Sequence, residues 1–222
     1  MEQLLYGLQH REEAWIQSAT HWVRRNAGTV FCAACLSLRR DRYPAPVDVP
    51  IRVLLPGHII DAASDLYGPV GVIRRDLLEC LRPHLRGFVI GRCLDGEGRV
   101  IDSHMTLYSR SCITPRYGAE GKCFRCETCG TIWSKGDAER HSFMSYELGG
   151  GPVYQTHVCS TYVLPSVVEG LNLRSFPGLK CVPFPVHDRP EDGYRLPSDP
   201  SWVRGRPPEP YSSPHLNRRL GD

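Results

Sequence analysis

Two Cys-x-x-Cys pairs, Cys32/Cys35 and Cys126/Cys129, constrain this chain more than any other feature. Such a turn places two sulfurs on one side of the backbone, where both can reach one metal ion at about 2.3 Å, and two turns complete a tetrahedron. The pattern predicts one structural zinc ion held by these four cysteines. Because thiolate ligation converts binding energy into folding energy, the ion is expected to stabilise the fold.

The two pairs are separated by the 90 residues from 36 to 125. A subdomain must therefore lie between them, which is tolerable because loop-closure entropy grows only logarithmically with length. Gly130 directly follows the second pair, where a chain that doubles back beneath a metal favours glycine. We predict an α+β fold in which a zinc-ribbon-like unit is split by an inserted α/β subdomain with antiparallel strands.

Other interpretations of the cysteines stay open at this point. Cys123 forms a Cys-x-x-Cys-x-x-Cys run with the second pair, and His141 follows it by 12 residues, so either could replace a ligand. An iron–sulfur cluster also accepts thiolates, and Cys32/Cys35 could be a redox dithiol. Buried thiols without metal are a further alternative. The remaining cysteines are expected to act as small core residues: Cys80, Cys93, Cys112, Cys159 and Cys181.

Hydrophobic spacing predicts the elements around the pairs. Apolar residues between 3 and 24 recur at helical spacing, which predicts an amphipathic N-terminal helix within residues 1–25. Residues 26–196 are predicted to form a single α+β domain, with a helix over 73–81, a hairpin over 88–108 and a short helix over 165–171. Residues 197–222 are rich in proline and arginine and are predicted to be a disordered tail.

Composition narrows the classes of partner. The formal net charge is only +3, which is too weak to predict a nucleic-acid or membrane partner. No run of about 18 apolar residues is present, and the first 25 residues lack the apolar stretch of a secretory signal. We therefore expect a cytoplasmic protein whose cysteines are thiols and metal ligands rather than disulfides.

Two functions other than a non-catalytic structural or binding role are compatible with zinc knuckles. A nucleic-acid-binding zinc ribbon would gather arginines near the knuckles to meet phosphates: Arg39, Arg40, Arg42, Arg52 and Arg125. A metal-dependent hydrolase would need an open zinc position beside a base. The His-Glu-x-x-His and Gly-x-Ser-x-Gly patterns are absent from the sequence, so the chain is not expected to be an enzyme.

The order of several segments resembles that of the bacterial double-CXXCG motif proteins. The matching segments are 28–35, 43–44 with 47–50, 73–81, 87–91, 126–130, 152–154 and 184–193. The first pair departs from the family pattern, since Leu36 stands where the family has glycine. Some members are regarded as immunity proteins that neutralise a cognate toxin. The resemblance therefore implies a cytoplasmic, non-catalytic binder of another protein, such as a toxin, whose zinc holds the fold.

An acidic turn near the end of the domain is the candidate contact surface for such a partner. It carries Asp188, Glu191 and Asp192. Charged residues exposed on a loop are available for recognition, although a solvated turn is the simpler interpretation. The N-terminal helix is the other candidate surface.

Overall fold

The computed structural model describes residues 3–10, 16–18, 25–26, 28–35, 37–40, 45–53, 62–64, 71–117, 122–135, 141–157 and 159–188. These residues form mostly strands, together with the short helices α1 (Arg75–Leu81) and α2 (Pro165–Gly170). The predicted α+β class with antiparallel strands is confirmed.

The first of two six-stranded sheets joins the two ends of the described chain. Its strands, in spatial order, are β12 (Val153–Gln155), β13 (Thr161–Val163), β1 (Gln3–His10), β14 (Leu179–His187), β11 (His141–Met144) and β8 (Arg116–Tyr117). Neighbours are antiparallel except β14 and β11, which are parallel.

The second sheet is built mainly from the chain between the two cysteine pairs. Its order is β2 (Ile16–Ser18), β3 (Val49–Val53), β6 (Phe88–Leu94), β7 (Val100–Ser109), β5 (Gly71–Arg74) and β4 (Ala62–Ser64). The predicted hairpin is confirmed as β6 and β7, and its turn is closed by Asp95 Oδ1, which accepts from the amides of Glu97 and Arg99. A separate hairpin joins β9 (Lys122–Arg125) to β10 (Ile132–Lys135).

The segment predicted as an N-terminal helix begins instead as a strand. β1 lies at the centre of the first sheet, with β14 on one side and β13 on the other. Leu5 and Leu8 belong to different cores, so both faces of the strand are buried. Such a strand loses the alternation of apolar and polar residues and cannot be told from a buried helix by periodicity. The helix prediction is wrong for residues 3–10 and for 16–18; the rest of 1–24 lies outside the described residues.

Residues 3–10 are therefore part of the same fold as the predicted domain, and not a separate unit. Two aromatic rings explain why β1 contains a glycine at position 7. A Cβ on Gly7 would lie 2.7 Å from the ring of Phe184 and 3.2 Å from that of Tyr162. Close approach of an aromatic ring is one reason for glycine inside a strand. The predicted tail, residues 197–222, lies outside the described residues.

The two faces of the first sheet cover two cores. One core contains helix residues such as Leu77, Leu78 and Val167, packed with Leu107 of the second sheet. The other core, called the aromatic core below, contains Phe143, Tyr162 and Phe184 together with aliphatic residues. Helix α1 confirms the prediction over 75–81, but Ile73 lies in β5, where it pairs with Met105. The helix begins two residues later than predicted because residues up to Arg74 pair with β7 as part of β5, and Asp76 in the first turn then favours the helix N-terminus.

Segment 45–49, which follows the first cysteine pair, is seated on β6. Asp48 accepts from the backbone amide and the Nε of Arg92, each at 2.9 Å. The carbonyl of Val47 accepts from Thr106 Oγ1 at 2.7 Å. That carbonyl lies directly over Gly91, within the volume that a Cβ at this position would need. Segment 45–49 therefore packs against the backbone of β6 at a position that requires glycine.

We expect Gly91→Ala to lower the free energy of unfolding by about 1–3 kcal/mol, because overpacking against backbone cannot be relieved by rotating a side chain. Urea unfolding followed by circular dichroism measures the change. Gly96→Ala is the matched control, since its Cβ would meet nothing within 4 Å. Equal midpoints for the two variants would contradict the close approach described here.

Candidate metal centre

The four predicted cysteines converge on one point. The sulfurs of Cys32 and Cys126 are 3.8 Å apart and those of Cys35 and Cys129 are 3.5 Å apart. All four sulfurs lie within 4.8 Å of one another. A tetrahedron with Zn–S bonds of about 2.3 Å has sulfurs about 3.8 Å apart, whereas a disulfide needs about 2 Å. The group therefore has the dimensions of a site that can hold one metal ion.

The first knuckle is a tight hairpin. Phe31 and Leu38 form an antiparallel bridge, and the amide of Cys32 donates to the carbonyl of Ser37 at 2.8 Å. These contacts turn the chain so that Cys32 and Cys35 are both buried, each at 2% exposure.

The second knuckle repeats this pattern at the same offsets. Arg125 pairs with Ile132, and the amide of Cys126 donates to the carbonyl of Thr131 at 2.9 Å. Gly130 has φ +72 and its amide donates to the carbonyl of Cys126 at 2.8 Å, which is the left-handed conformation expected of this glycine. The corresponding position of the first knuckle, Leu36, lies outside the described residues. Two equivalent hairpins thus face each other with their sulfurs together.

The hydrogen bonds between the thiols shift their pKa values in opposite directions. The hydrogen bond with Cys129, followed by burial, raises the pKa of Cys35, and the same hydrogen bond lowers the pKa of Cys129 to about 4. Burial also raises the pKa of Cys32. The protein alone therefore holds the negative charge mainly on one sulfur of the Cys35–Cys129 pair. A divalent cation removes this restriction because it stabilises every coordinated thiolate.

Thr131 supports the sulfur of Cys129. Its Oγ1 lies 3.1 Å from that sulfur and helps to lower the thiol pKa. Hydrogen bonds to metal ligands typically change metal affinity by about 10- to 100-fold. We expect Thr131→Val to weaken zinc affinity by about tenfold, measured by competition with a chromophoric chelator. The exposed Thr128 offers the matched control: if Thr128→Val loses as much affinity, the hydroxyl of Thr131 has no specific role.

His141 lies outside the group of four sulfurs. His141 lies in the aromatic core, where its ring stacks on Phe184 with centroids 4.0 Å apart and its Nε2 is 2.9 Å from the hydroxyl of Tyr162. Cys123 lies in β9, paired with Ser134. The four clustered sulfurs complete a tetrahedral set, so the site requires neither His141 nor Cys123.

The expectation that the other cysteines are small core residues holds for Cys93. Cys93 is fully buried and burial raises its pKa to about 12. Burial also raises the pKa of Cys112, to about 11. Cys159 is 2% exposed, but its sulfur accepts a hydrogen bond from Nη2 of Arg40 at 2.8 Å, so it is not a purely apolar core residue. Cys80 and Cys181 are partly buried.

Sequence reasoning missed a buried arginine next to the first knuckle. Arg40 is 9% exposed. Its Nη1 donates to the carbonyl of Ser109 at 2.8 Å and to Oε1 of Gln155 at 3.0 Å, and its Nη2 donates to the carbonyls of Thr156 and His157. Because Ser109 ends β7 and Gln155 ends β12, the guanidinium joins both sheets. Arg40 therefore cannot meet phosphates as the nucleic-acid hypothesis required, and no local pattern in the sequence distinguishes it from the exposed arginines.

Gln155 completes this polar junction. It is fully buried, its Oε1 accepts from the amide of Ser109 at 2.7 Å, and its Nε2 donates to the carbonyls of Leu107 and Cys159, each at 3.2 Å. A buried network with every member satisfied rigidifies the structure around it. The junction holds the exit of the first knuckle in place relative to both sheets.

The predicted contact surface is described only in part. Asp188 is exposed directly after β14, whereas Glu191 and Asp192 lie outside the described residues. The parallel pair of Met144 and His187 places the following segments side by side. Tyr146, which is 62% exposed, therefore lies at the same end of the sheet as Asp188.

No known protein-family model matches the chain, and no curated protein matches it. The resemblance to double-CXXCG motif proteins therefore stays a prediction. Within the described part of the chain, no helix has the length and apolar character needed to cross a membrane.

Proposed function

We propose that this chain is a non-catalytic protein whose fold is held by one structural zinc ion bound to Cys32, Cys35, Cys126 and Cys129. The observation that carries the proposal is the spacing of the four sulfurs, which matches the edges of a zinc tetrathiolate tetrahedron. Four protein ligands fill the coordination of zinc and leave no position for a substrate or an activated water. The burial of three of the four cysteines supports a structural role.

The arrangement of sulfurs also favours a shared ion over a redox dithiol. The sulfur–sulfur contacts of 3.8 Å and 3.5 Å pair Cys32 with Cys126 and Cys35 with Cys129, so each of them joins the two knuckles. We propose that the knuckles form a zinc-ribbon-like unit and that the chain between them, which builds most of the second sheet, is an insertion. Zinc then closes a long loop whose ends would otherwise be free to separate.

Metal analysis of protein purified under reducing conditions tests this assignment. We expect about one zinc per chain, and cobalt substitution is expected to give the intense visible absorption of tetrahedral thiolate coordination. Iron in place of zinc, or a cobalt spectrum of five- or six-coordinate geometry, would reject a closed zinc tetrathiolate.

We further propose that the protein acts by binding another protein, as an immunity protein neutralises a toxin. The ordered resemblance to double-CXXCG motif proteins supports this part of the proposal. The contact surface proposed here is the end of the first sheet that carries exposed Tyr146 and Asp188, continued in the sequence by Glu191 and Asp192. A specific complex should bury at least about 1,000 Å².

Affinity capture from the native host, followed by binding measurements with the purified partner, tests protein binding. Asp188→Arg and Tyr146→Ala are expected to weaken the complex at least tenfold while zinc content is unchanged. Co-expression should also relieve the growth arrest caused by the captured partner. A partner that binds both variants as tightly as the unmodified chain would place the interface elsewhere, and failure to capture any specific protein would reject the binding role.

A further inference from the structure

Arg40 is a buried cation without a carboxylate partner among the described residues. Its five acceptors are three backbone carbonyls, the side-chain amide oxygen of Gln155 and the sulfur of Cys159, which is 2.8 Å from Nη2. A guanidinium stays charged at every physiological pH. A buried charge requires a counter-charge, and among these acceptors only the sulfur of Cys159 can carry one.

We propose that Cys159 is an ionised thiolate and the counter-ion of Arg40. Keeping a thiol ionised one pH unit below its normal pKa costs the folding equilibrium only a factor of about ten. Leaving a buried charge without its partner changes the folding equilibrium by roughly a hundredfold to several thousandfold. The smaller of the two penalties is therefore the loss of the thiol proton.

The other titratable groups around the guanidinium do not supply this charge. Burial raises the pKa of Cys112 to about 11 despite the nearby Arg40, which keeps it a neutral thiol. Tyr108 faces Arg40 with its ring, 6.0 Å from Cζ, while its hydroxyl donates to the carbonyl of Ala45. His157 offers Arg40 its carbonyl, and an imidazole would add positive rather than negative charge.

The surroundings of Arg40 stabilise its positive charge. Burial is the largest single effect and lowers the pKa of the guanidinium, but the charges of Cys159 and Cys112, the hydrogen bond to Cys159 and the charge of Tyr108 together outweigh it, so the pKa of Arg40 is raised. The backbone of Cys159 is independent evidence that its side chain is needed, because φ is +66. The left-handed backbone conformation is energetically unfavourable for a residue with a Cβ, and it persists where the surrounding structure requires that side chain.

The ion pair ties the exit of the first knuckle to the turn between β12 and β13. The thiolate stabilises the fold at neutral and alkaline pH, where it is the form present in the folded protein. On acidification the sulfur takes up a proton from solvent, Arg40 loses its counter-charge, and this contribution disappears. The junction is thus sensitive to acid independently of the metal centre.

A pH titration of the 13Cβ resonances in cysteine-labelled, zinc-loaded protein tests the charge state. Cys93 is the internal reference, because it is a buried thiol whose pKa burial raises to about 12. We expect the Cys159 resonance to be constant from alkaline to neutral pH and to shift only in acid. Cys93 should be constant at neutral pH and shift only in alkali. If the Cys159 resonance titrated in alkali as that of Cys93 does, the proposal would be overturned. Sequential backbone assignment identifies both resonances, so the result does not depend on any variant.

Substitutions at position 159 give a second test. Aspartate preserves a negative charge beside Arg40 and asparagine of nearly the same shape removes it. We expect Cys159→Asp to favour folding over Cys159→Asn by about a hundredfold at neutral pH, and this advantage should vanish in acid. Equal stability of the two variants at neutral pH would mean that the site does not require an anion.

Discussion

Replacement of Cys126 and Cys129 by serine is expected to reduce zinc content from about one ion per chain to none and to unfold the protein. Structural zinc sites bind with apparent free energies of about 10–16 kcal/mol in small domains, which is as large as the total stability of an ordinary domain. The sulfurs of these two residues meet those of Cys32 and Cys35, so their loss removes half of the ligands and the link between the knuckles. Elemental analysis and near-ultraviolet circular dichroism measure both effects.

Cys80→Ser provides the matched control, because Cys80 is a partly buried free cysteine on α1, outside the metal group. This variant should retain zinc and a folded spectrum. If the double variant kept its zinc, the ligands would have to be reassigned. If it lost zinc but unfolded at the same denaturant concentration as the unmodified protein, the ion would not be structural.

Arg40→Met is expected to lower the free energy of unfolding by about 3–5 kcal/mol. Methionine fills similar space but donates no hydrogen bond, so the buried acceptors of Ser109, Gln155 and their neighbours lose their donor and the charge balance of the junction is broken. Denaturant unfolding of the zinc-loaded protein measures the loss. Zinc content should be retained where the variant folds, because Arg40 is not a ligand.

The adjacent arginine gives a control of the same chemistry. Among the described residues the side chain of Arg39 makes one hydrogen bond, from Nη1 to the carbonyl of Gly28, and this contact is exposed. Arg39→Met should therefore cost no more than about 1 kcal/mol. Similar losses in the two variants would show that burial of Arg40 in the junction contributes little.

The predicted elements differ in how far local sequence could specify them. The hairpin of β6 and β7 and the helices α1 and α2 were predicted from nearby residues, because turn-forming residues, proline positions and apolar stripes act within a few residues. The prediction of an N-terminal helix was wrong because distant residues, rather than neighbouring ones, decide the structure of this segment. β1 is defined by pairing with β13 and β14, more than 150 residues away in the sequence, and its two buried faces hide the alternation of a strand.

Local sequence specified the four candidate metal ligands, because the geometry of a Cys-x-x-Cys turn is local and the second turn carries the glycine that this geometry favours. The meeting of the two knuckles, which the pattern predicted, is achieved only by tertiary contacts, since 90 residues lie between the pairs. Tertiary contacts also decided that Arg40 is an internal cation beside Cys159. Burial and counter-charge depend on residues that approach from other elements, and the sequence around an arginine does not record them.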